Sequence, residues 1–291
     1  MRWCLLLLLS LPVFAQVAAP ADKKRAERPP GPVSLAAKPL RSGTVLREER
    51  QIDASDGEFH FISSKRTQDA ITRYHQRLTL IRRVQGNAAE DVEVSDHSED
   101  SVAYPAPPGP PENTQPGPLQ TTRLRARQKL GRWSFELADK KPGEVQQRCL
   151  VELGVITDLL EASAWGIGTE PRKPGETWKP AFREVRGKAR DMLVPGPYEI
   201  TFTGLEDQKG ETCARLTITG SLQLERPTYE GTLQVTFTGT HLRRLSDGLN
   251  LQSEVSGTLN FKGPVSIGGD AGTLTLKSSF KARRTQRILP R

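Results

Sequence analysis

Only three cysteines, two methionines and four histidines occur in 291 residues, and aromatic side chains make up 6% of the chain. These scarcities close off several kinds of chemistry. The histidines His60, His75, His97 and His241 are scattered, with no Cys or His partner at metal-ligand spacing, so no metal set is expected. No Gly-x-Ser-x-Gly elbow or comparable signature seats a nucleophile beside a base, and no catalytic residue is expected. The glycine-rich GGDAG at 268–272 leads into no helix and reads as a hairpin rather than a phosphate cradle. No cofactor is implied. Beyond the first residues, no apolar run approaches the about 20 needed for a membrane-spanning helix.

What the chain does have begins with MRWCLLLLLSLPVFAQ. Arg2, an apolar run from Trp3 to Leu11, and the small residues Val13 and Ala15 read as a secretory signal peptide over residues 1–15. The expected location is therefore periplasmic or secreted. Removing that segment deletes Cys4 and leaves Cys149 and Cys213. One candidate pair in an exported chain predicts a single disulfide between them, the alternative being two separate buried thiols.

The formal charge of +8 is concentrated in KKRAERPPGP, TTRLRARQKLGR and KSSFKARRTQRILPR, the last without an acid. Export argues against nucleic acid as a partner. It leaves an anionic envelope surface, such as lipid head groups or acidic polymers, or simply a solubilising exterior. The acidic stretch EDVEVSDHSED at 90–100 lacks the glycine-punctuated spacing of a calcium loop and reads as a solvated loop able to balance the basic segment.

Residues 16–42, rich in Ala, Pro and Lys/Arg, read as a disordered tether. Residues 43–283 read as a single β-rich domain, with a proline-rich loop at 105–118, and 284–291 as a basic tail. Arg123, Arg125, Arg127 and Lys129 alternate with Leu124, Ala126, Gln128 and Leu130, which makes one strand face basic. One helix is predicted from Glu144 to Trp165, with Cys149, Leu153, Ile156, Leu160 and Ala164 as its apolar stripe. From Tyr198 on, strands separated by Gly-containing turns form an antiparallel meander. Leu233, Val235 and Phe237 share a face. So do Leu249, Leu251, Val255, Leu259 and Phe261, and Leu274, Leu276 and Phe280, while their alternates are polar. Strands this long coil toward a barrel. The predicted fold is mainly β (α+β): a long-stranded, curved antiparallel sheet or half-barrel, one helix on its concave face.

In PRKPGETWKP, Pro174 and Gly175 suit the central positions of a type II turn returning the chain into an edge strand at Thr177. Trp178 then serves as a structural latch or as a wall of a ligand site. The helix, the turn Gly175-Glu176-Thr177-Trp178 and the meander resemble uncharacterised bacterial exported β-sheet families with a Gly-Asp/Glu-Thr-Trp turn. More distantly they are similar to periplasmic lipoprotein-carrier half-barrels, in which a curved sheet shelters lipid. The matching stretch is about residues 145–283.

The first functional expectation is a non-enzymatic envelope protein, a structural or surface-interaction module whose helix fills the concavity. The alternative is a carrier of a lipid or other hydrophobic ligand lined by Trp178, Leu233, Val235, Phe237, Leu251, Leu259, Phe261, Leu276 and Phe280, held by apolar burial worth about 25 cal/mol per Å². An uncharacterised enzyme is the third.

Overall fold

A computed structural model describes residues 31–86, 89–104, 115–129, 132–160, 167, 170–179, 192–226, 231–267 and 269–290. The expected signal peptide, most of the expected tether, and residues 105–114 of the proline-rich loop lie outside them. The strands are β1 (Val45–Ser63), β2 (Thr67–Gly86), β3 (Ala89–Tyr104), β4 (Gln115–Pro116), β5 (Arg123–Lys129), β6 (Arg132–Leu137), β7 (Thr177–Trp178), β8 (Met192–Gln208), β9 (Glu211–Arg226), β10 (Gly231–Arg244), β11 (Asn250–Ile267) and β12 (Asp270–Ile288), with one helix, α1 (Glu144–Leu160). They form a 12-stranded sheet in the order β6-β5-β3-β2-β1-β12-β11-β10-β9-β8-β7, with β4 paired to β3. All pairings between strands are antiparallel, and the sheet ends at β6 and β7 rather than closing into a barrel. The mainly-β, long-stranded antiparallel fold expected from the sequence is present. The two β regions make one sheet because β1 pairs on both sides, with β2 and with β12.

Alternation carries the strands. Along β10, Leu233, Val235 and Phe237 face inward and Thr232, Gln234, Thr236 and Thr238 face water. On β5, Leu124 and Ala126 are buried at 1% exposure while Arg123, Arg125 and Arg127 stand outside. The acidic stretch is part of strand β3, not a loop. Its Asp91 and Glu93 lie opposite Arg125 and Arg123, and its Glu90 points inward and is buried. Charges directly opposite on neighbouring strands favour this register.

Inward side chains meet across the sheet in transverse rows. The row Tyr198, Gly220, Phe237, Gly257, Phe280, Ala54 and Tyr74 alternates an aromatic ring with a small residue from β8 to β2. The Tyr198 and Phe237 rings lie 5.7 Å apart over Gly220. A Cβ on Gly220 would come 2.6 Å from the Tyr198 ring, and one on Gly257 would strike the Thr236 carbonyl. On the inside of a bend side chains converge, so alternating bulky and small residues is what lets the sheet curve.

Curvature shows in what shares a neighbourhood. Trp133 on β6 and Arg243 on β10 line the same cavity. In a flat sheet they would sit about 34 Å apart at ~4.8 Å per strand. Helix α1 spans the trough between the arms. Cys149, Leu150 and Leu153 bury against Leu78, Leu80, Val92, Val94, Leu124, Ala126 and Phe135. At its other end Leu160 joins Trp178, Ile200, Phe202, Leu216, Ile218 and Val255. The helix is described to Leu160; the expected residues up to Trp165 lie outside the described range.

Two expected boundaries move. The tether does not extend to residue 42: Val33 bridges Arg172 and Leu35 is buried in the core at 1%. The C-terminal residues from 284 are not a free tail. They continue β12 to Ile288 against β1, because Arg284 and Gln286 have buried partners on the inner face.

The two classes of glycine separate by substitution. Gly257→Ala is expected to lower stability by about 2–3 kcal/mol through overpacking. Gly204→Ala, with nothing within 4 Å of the added Cβ, should be neutral or raise stability by about 0.5 kcal/mol. Chemical denaturation of the two variants measures both, and a neutral Gly257→Ala would contradict the packed row.

Candidate functional site

The greasy row does not continue the length of the sheet. Past one further apolar row, Gly239, Val255, Ala282 and Ile52, and four residues along each strand, the inward positions turn polar: His241 on β10, Ser253 on β11, Arg284 on β12 and Arg50 on β1 are direct cross-strand neighbours. Beyond them come Arg243, Asn250, Gln286, Glu48, Arg82 and Glu90, all buried. A buried charge costs several kcal/mol unless paired and hydrogen-bonded, and the arrangement meets that cost by convergence on Glu48. Arg50 and Arg82 both donate to its carboxylate, and Gln286 Nε2 donates to Oε2 at 2.7 Å. Arg82 also grips Glu90 with Nε at 2.6 Å and Nη2 at 3.2 Å, and its guanidinium lies 4.9 Å over the Trp133 ring. Burial pushes the Glu48 carboxyl up, but Arg50, Arg82 and Arg284 together outweigh it and hold it far below the ordinary carboxylate range.

The helix is tied into the same cluster. Arg50 Nη1 donates to Thr157 Oγ1 at 2.8 Å, and Arg284 Nη2 and Ser253 Oγ donate to the Leu160 carbonyl at 2.7 and 3.0 Å. Cations at carbonyls of the last described turn complement the helix dipole. His241 shares a 2.8 Å hydrogen bond between Nδ1 and Ser253 Oγ. Burial, then the nearby Arg284 and Arg243, depress its pKa to about 3, so it is neutral at neutral pH.

This polar end opens into a cavity of about 640 Å³. Its walls include Arg82, Arg243, Arg284, Glu90, Asn250 and Gln286, with Leu40, Leu46, Val84 and Trp133 as apolar panels. The segment before β1 closes one side: Arg243 Nε donates to the Leu35 carbonyl at 2.6 Å, and its Nη1 to Asn250 Oδ1 at 2.7 Å. The cavity is thus assembled from both arms of the sheet and the N-terminal segment.

The opposite end is apolar. Leu233, Phe261, Leu276 and Phe59 form one inward row across β10, β11, β12 and β1, and all are half-buried. Val235, Leu259 and Phe280 are half-buried too, and Phe237 is packed at 6% exposure. Of the expected lining, these residues therefore share one face. Leu251 sits apart, at the irregularity where Leu242 pairs Gln252 and Arg243 pairs Asn250. Trp178 is 9% exposed in the core cluster with Leu35, Leu160 and Ile200, with the Arg172 guanidinium 4.8 Å from its ring. The turn ahead of it is as expected, with Gly175 at φ 87° and the Glu176 amide donating to the Lys173 carbonyl at 3.1 Å.

The expected disulfide is not formed. Cys149 and Cys213 are both buried and not joined. Cys149 belongs to the cluster under β2, β3, β5 and β6, with its thiol 3.9 Å from Glu99 Oε1. Cys213 lies on β9 opposite Arg244, with the outward parity of Arg215, and is buried there, where its Sγ donates to the Glu211 carbonyl at 3.5 Å. Burial, aided by the Glu211 carboxylate, pushes the Cys213 thiol pKa up. The polar cluster itself was missed by sequence reading. Its signal was present, since the odd positions of β10 run on from Phe237 through His241 to Arg243, and the even positions of β12 from Phe280 to Arg284 and Gln286.

No family model and no curated protein matches this chain. Among solved structures, an outer membrane channel from Pseudomonas putida F1 aligns at 10% identity, covering 87% of this chain and 98% of that one, with a TM-score of 0.21. At that score the likeness carries no argument. Fold and inner face by themselves define an open, mainly-β half-barrel with a helix in its trough, and among the described residues no helix is long and apolar enough to cross a membrane.

The pH dependence follows from two depressed groups. His241 supports the fold fully above its ordinary 6.5, and that support is lost as pH falls toward about 3. Glu48 does so above its ordinary 4.5, and its contribution is lost below that as pH falls toward its depressed folded value. The thermal midpoint followed by circular dichroism should decline from about pH 6.5 downward and more steeply below about 4.5. Glu48→Gln should cost on the order of 3 kcal/mol at pH 7 by leaving the buried guanidinium groups without their anion, and should flatten the acid limb. A midpoint that rises on acidification would contradict this account.

Proposed function

We propose that this chain is an exported, non-enzymatic binding protein of the cell envelope, holding a hydrophobic molecule against the apolar end of its curved sheet. The observation that carries the reading is the row Leu233, Phe261, Leu276 and Phe59. These large apolar side chains face inward in register, yet all remain half-buried, whereas Phe237, Val255 and Ala282 further along the same face are buried in the core cluster with Leu160 of α1. Half-exposed apolar surface on the inner side of a bend is what a hydrophobic ligand would cover, at about 25 cal/mol gained per Å² removed from water. The leader-like first residues support export.

A second reading is favoured by a different observation. Helix α1 already occupies the middle of the trough and is fastened there by Arg50, Ser253 and Arg284. A protein built this way is also suited to a structural role at an anionic envelope surface, with Arg123, Arg125 and Arg127 exposed on the outer face.

Organic extraction of the purified full chain, followed by lipid analysis, separates the two. The binding reading expects a co-purifying hydrophobic molecule and enhanced fluorescence of an apolar dye. It also expects Leu276→Glu to weaken dye binding by about tenfold while the chain stays folded, since the new charge would have to be buried beneath the ligand. A chain free of extractable cargo that leaves the dye dark overturns the binding reading.

A further inference from the structure

We infer that the hydrophobic molecule is a cationic amphiphile, its organic ammonium group seated on the Glu99 carboxylate at the border of the apolar end; this rests on the hydrophobic-ligand reading above and names the ligand's class. Register places Glu99 on that inner face. It lies opposite Gln76 on β2, which lies opposite Ile52 and then Ala282, one row beyond the row of Tyr74, Ala54 and Phe280. Tyr74, Ala54 and Phe280 are half-buried, like Leu259 and Leu276 further along. Consecutive inward rows are about 6.6 Å apart at ~3.3 Å per residue, so Glu99 stands at the end of a run of partly uncovered apolar side chains.

Glu99 differs from the other inward carboxylates in how its charge is met. Glu48 and Glu90 are paired with arginines. Glu99 has hydrogen bonds but, among the described side chains, no lysine or arginine partner. His97 Nε2 donates to its Oε1 at 2.8 Å and Gln76 Nε2 to the same oxygen at 2.9 Å, with the Tyr74 hydroxyl at 3.4 Å and the Cys149 thiol at 3.9 Å. The Leu119 amide donates to His97 Nδ1 at 3.1 Å, so the ring proton sits on Nε2 and the imidazole is neutral. None of these donors is a cation. All of them converge on Oε1, and among the described residues no donor reaches Oε2. The hydrogen bond from His97, joined by those from Gln76 and Tyr74, outweighs burial and holds the Glu99 carboxyl below its ordinary value. Its side chain is 24% exposed, against 0% for Glu48, so an entering molecule can touch it. A fixed carboxylate with one oxygen open, its charge unmatched by the described side chains and a tyrosine beside it, suits an organic ammonium, through a charge-assisted hydrogen bond and contact with the ring. An anionic head group would be repelled there.

The test is calorimetric titration of the full chain with three decyl probes below their micellar concentrations: decylammonium, the uncharged decyl maltoside and decanoate. Decylammonium is expected to bind about tenfold more tightly than decyl maltoside, and decanoate more weakly than either. Glu99→Gln, which keeps an oxygen for His97 and Gln76, should weaken decylammonium about tenfold and leave decyl maltoside within about twofold. Added salt should weaken decylammonium binding to the unaltered chain without weakening decyl maltoside, a measurement that stands even where the variant does not fold. Equal binding of decylammonium and decyl maltoside, decylammonium binding indifferent to salt, or a folded Glu99→Gln that binds decylammonium like the unaltered chain would each overturn the charge assignment while the hydrophobic-ligand reading stands. If none of the three probes binds, both fall.

Discussion

Crowding on the inside of a bend is the constraint from which the rest of this molecule follows. A sheet that curves enough to bring β6 and β10 to one cavity must shrink its inner face relative to its outer one. The row from Tyr198 to Tyr74 shows how, with a ring on one strand leaning over a glycine or alanine on the next. Gly257 admits no side chain there, which makes the bend a property of specific positions rather than of strand length. Length contributes too, because strands of 14 to 20 residues from β8 to β12 and β1 to β3 accumulate right-handed twist.

Once the sheet is curved, its trough has to be filled. Helix α1 does so with apolar residues at its N-terminal half and with polar ties further along, where Arg50, Ser253 and Arg284 reach Thr157 and Leu160. The buried charges there are tolerated because each carboxylate receives more than one donor, Glu48 from Arg50, Arg82 and Gln286. The ion cluster sits between an apolar core and a cavity, so it fixes the helix on one side and lines an opening on the other.

Much of the fold was legible in particular residues. Leu233, Val235 and Phe237 against their threonine and glutamine alternates specify an inner and an outer face, and Pro174-Gly175 specifies a turn that the structure contains. The acidic stretch from Glu90 was misread because charge density suggested a loop, whereas in β3 Asp91 and Glu93 are matched across the strand gap by Arg125 and Arg123. The cysteine pairing failed for a different reason. Cys213 has the outward parity of Arg215 on β9 whereas Cys149 packs from the helix on the inner face, so the two thiols are buried in separate surroundings.

By itself, the sequence determined the strand periodicity, the position of the helix and the direction in which side chains face, because these depend on neighbours a few residues away. Only the tertiary structure decided that Glu48, Arg82 and Gln286, separated by as many as 238 positions, meet in one buried cluster. It also decided that Leu35, Arg284 and Gln286 are buried and that β12 runs on to Ile288. Register between distant strands is a collective outcome of packing on the inner face, and a local pattern of apolar and polar residues is compatible with many registers until curvature brings the arms together.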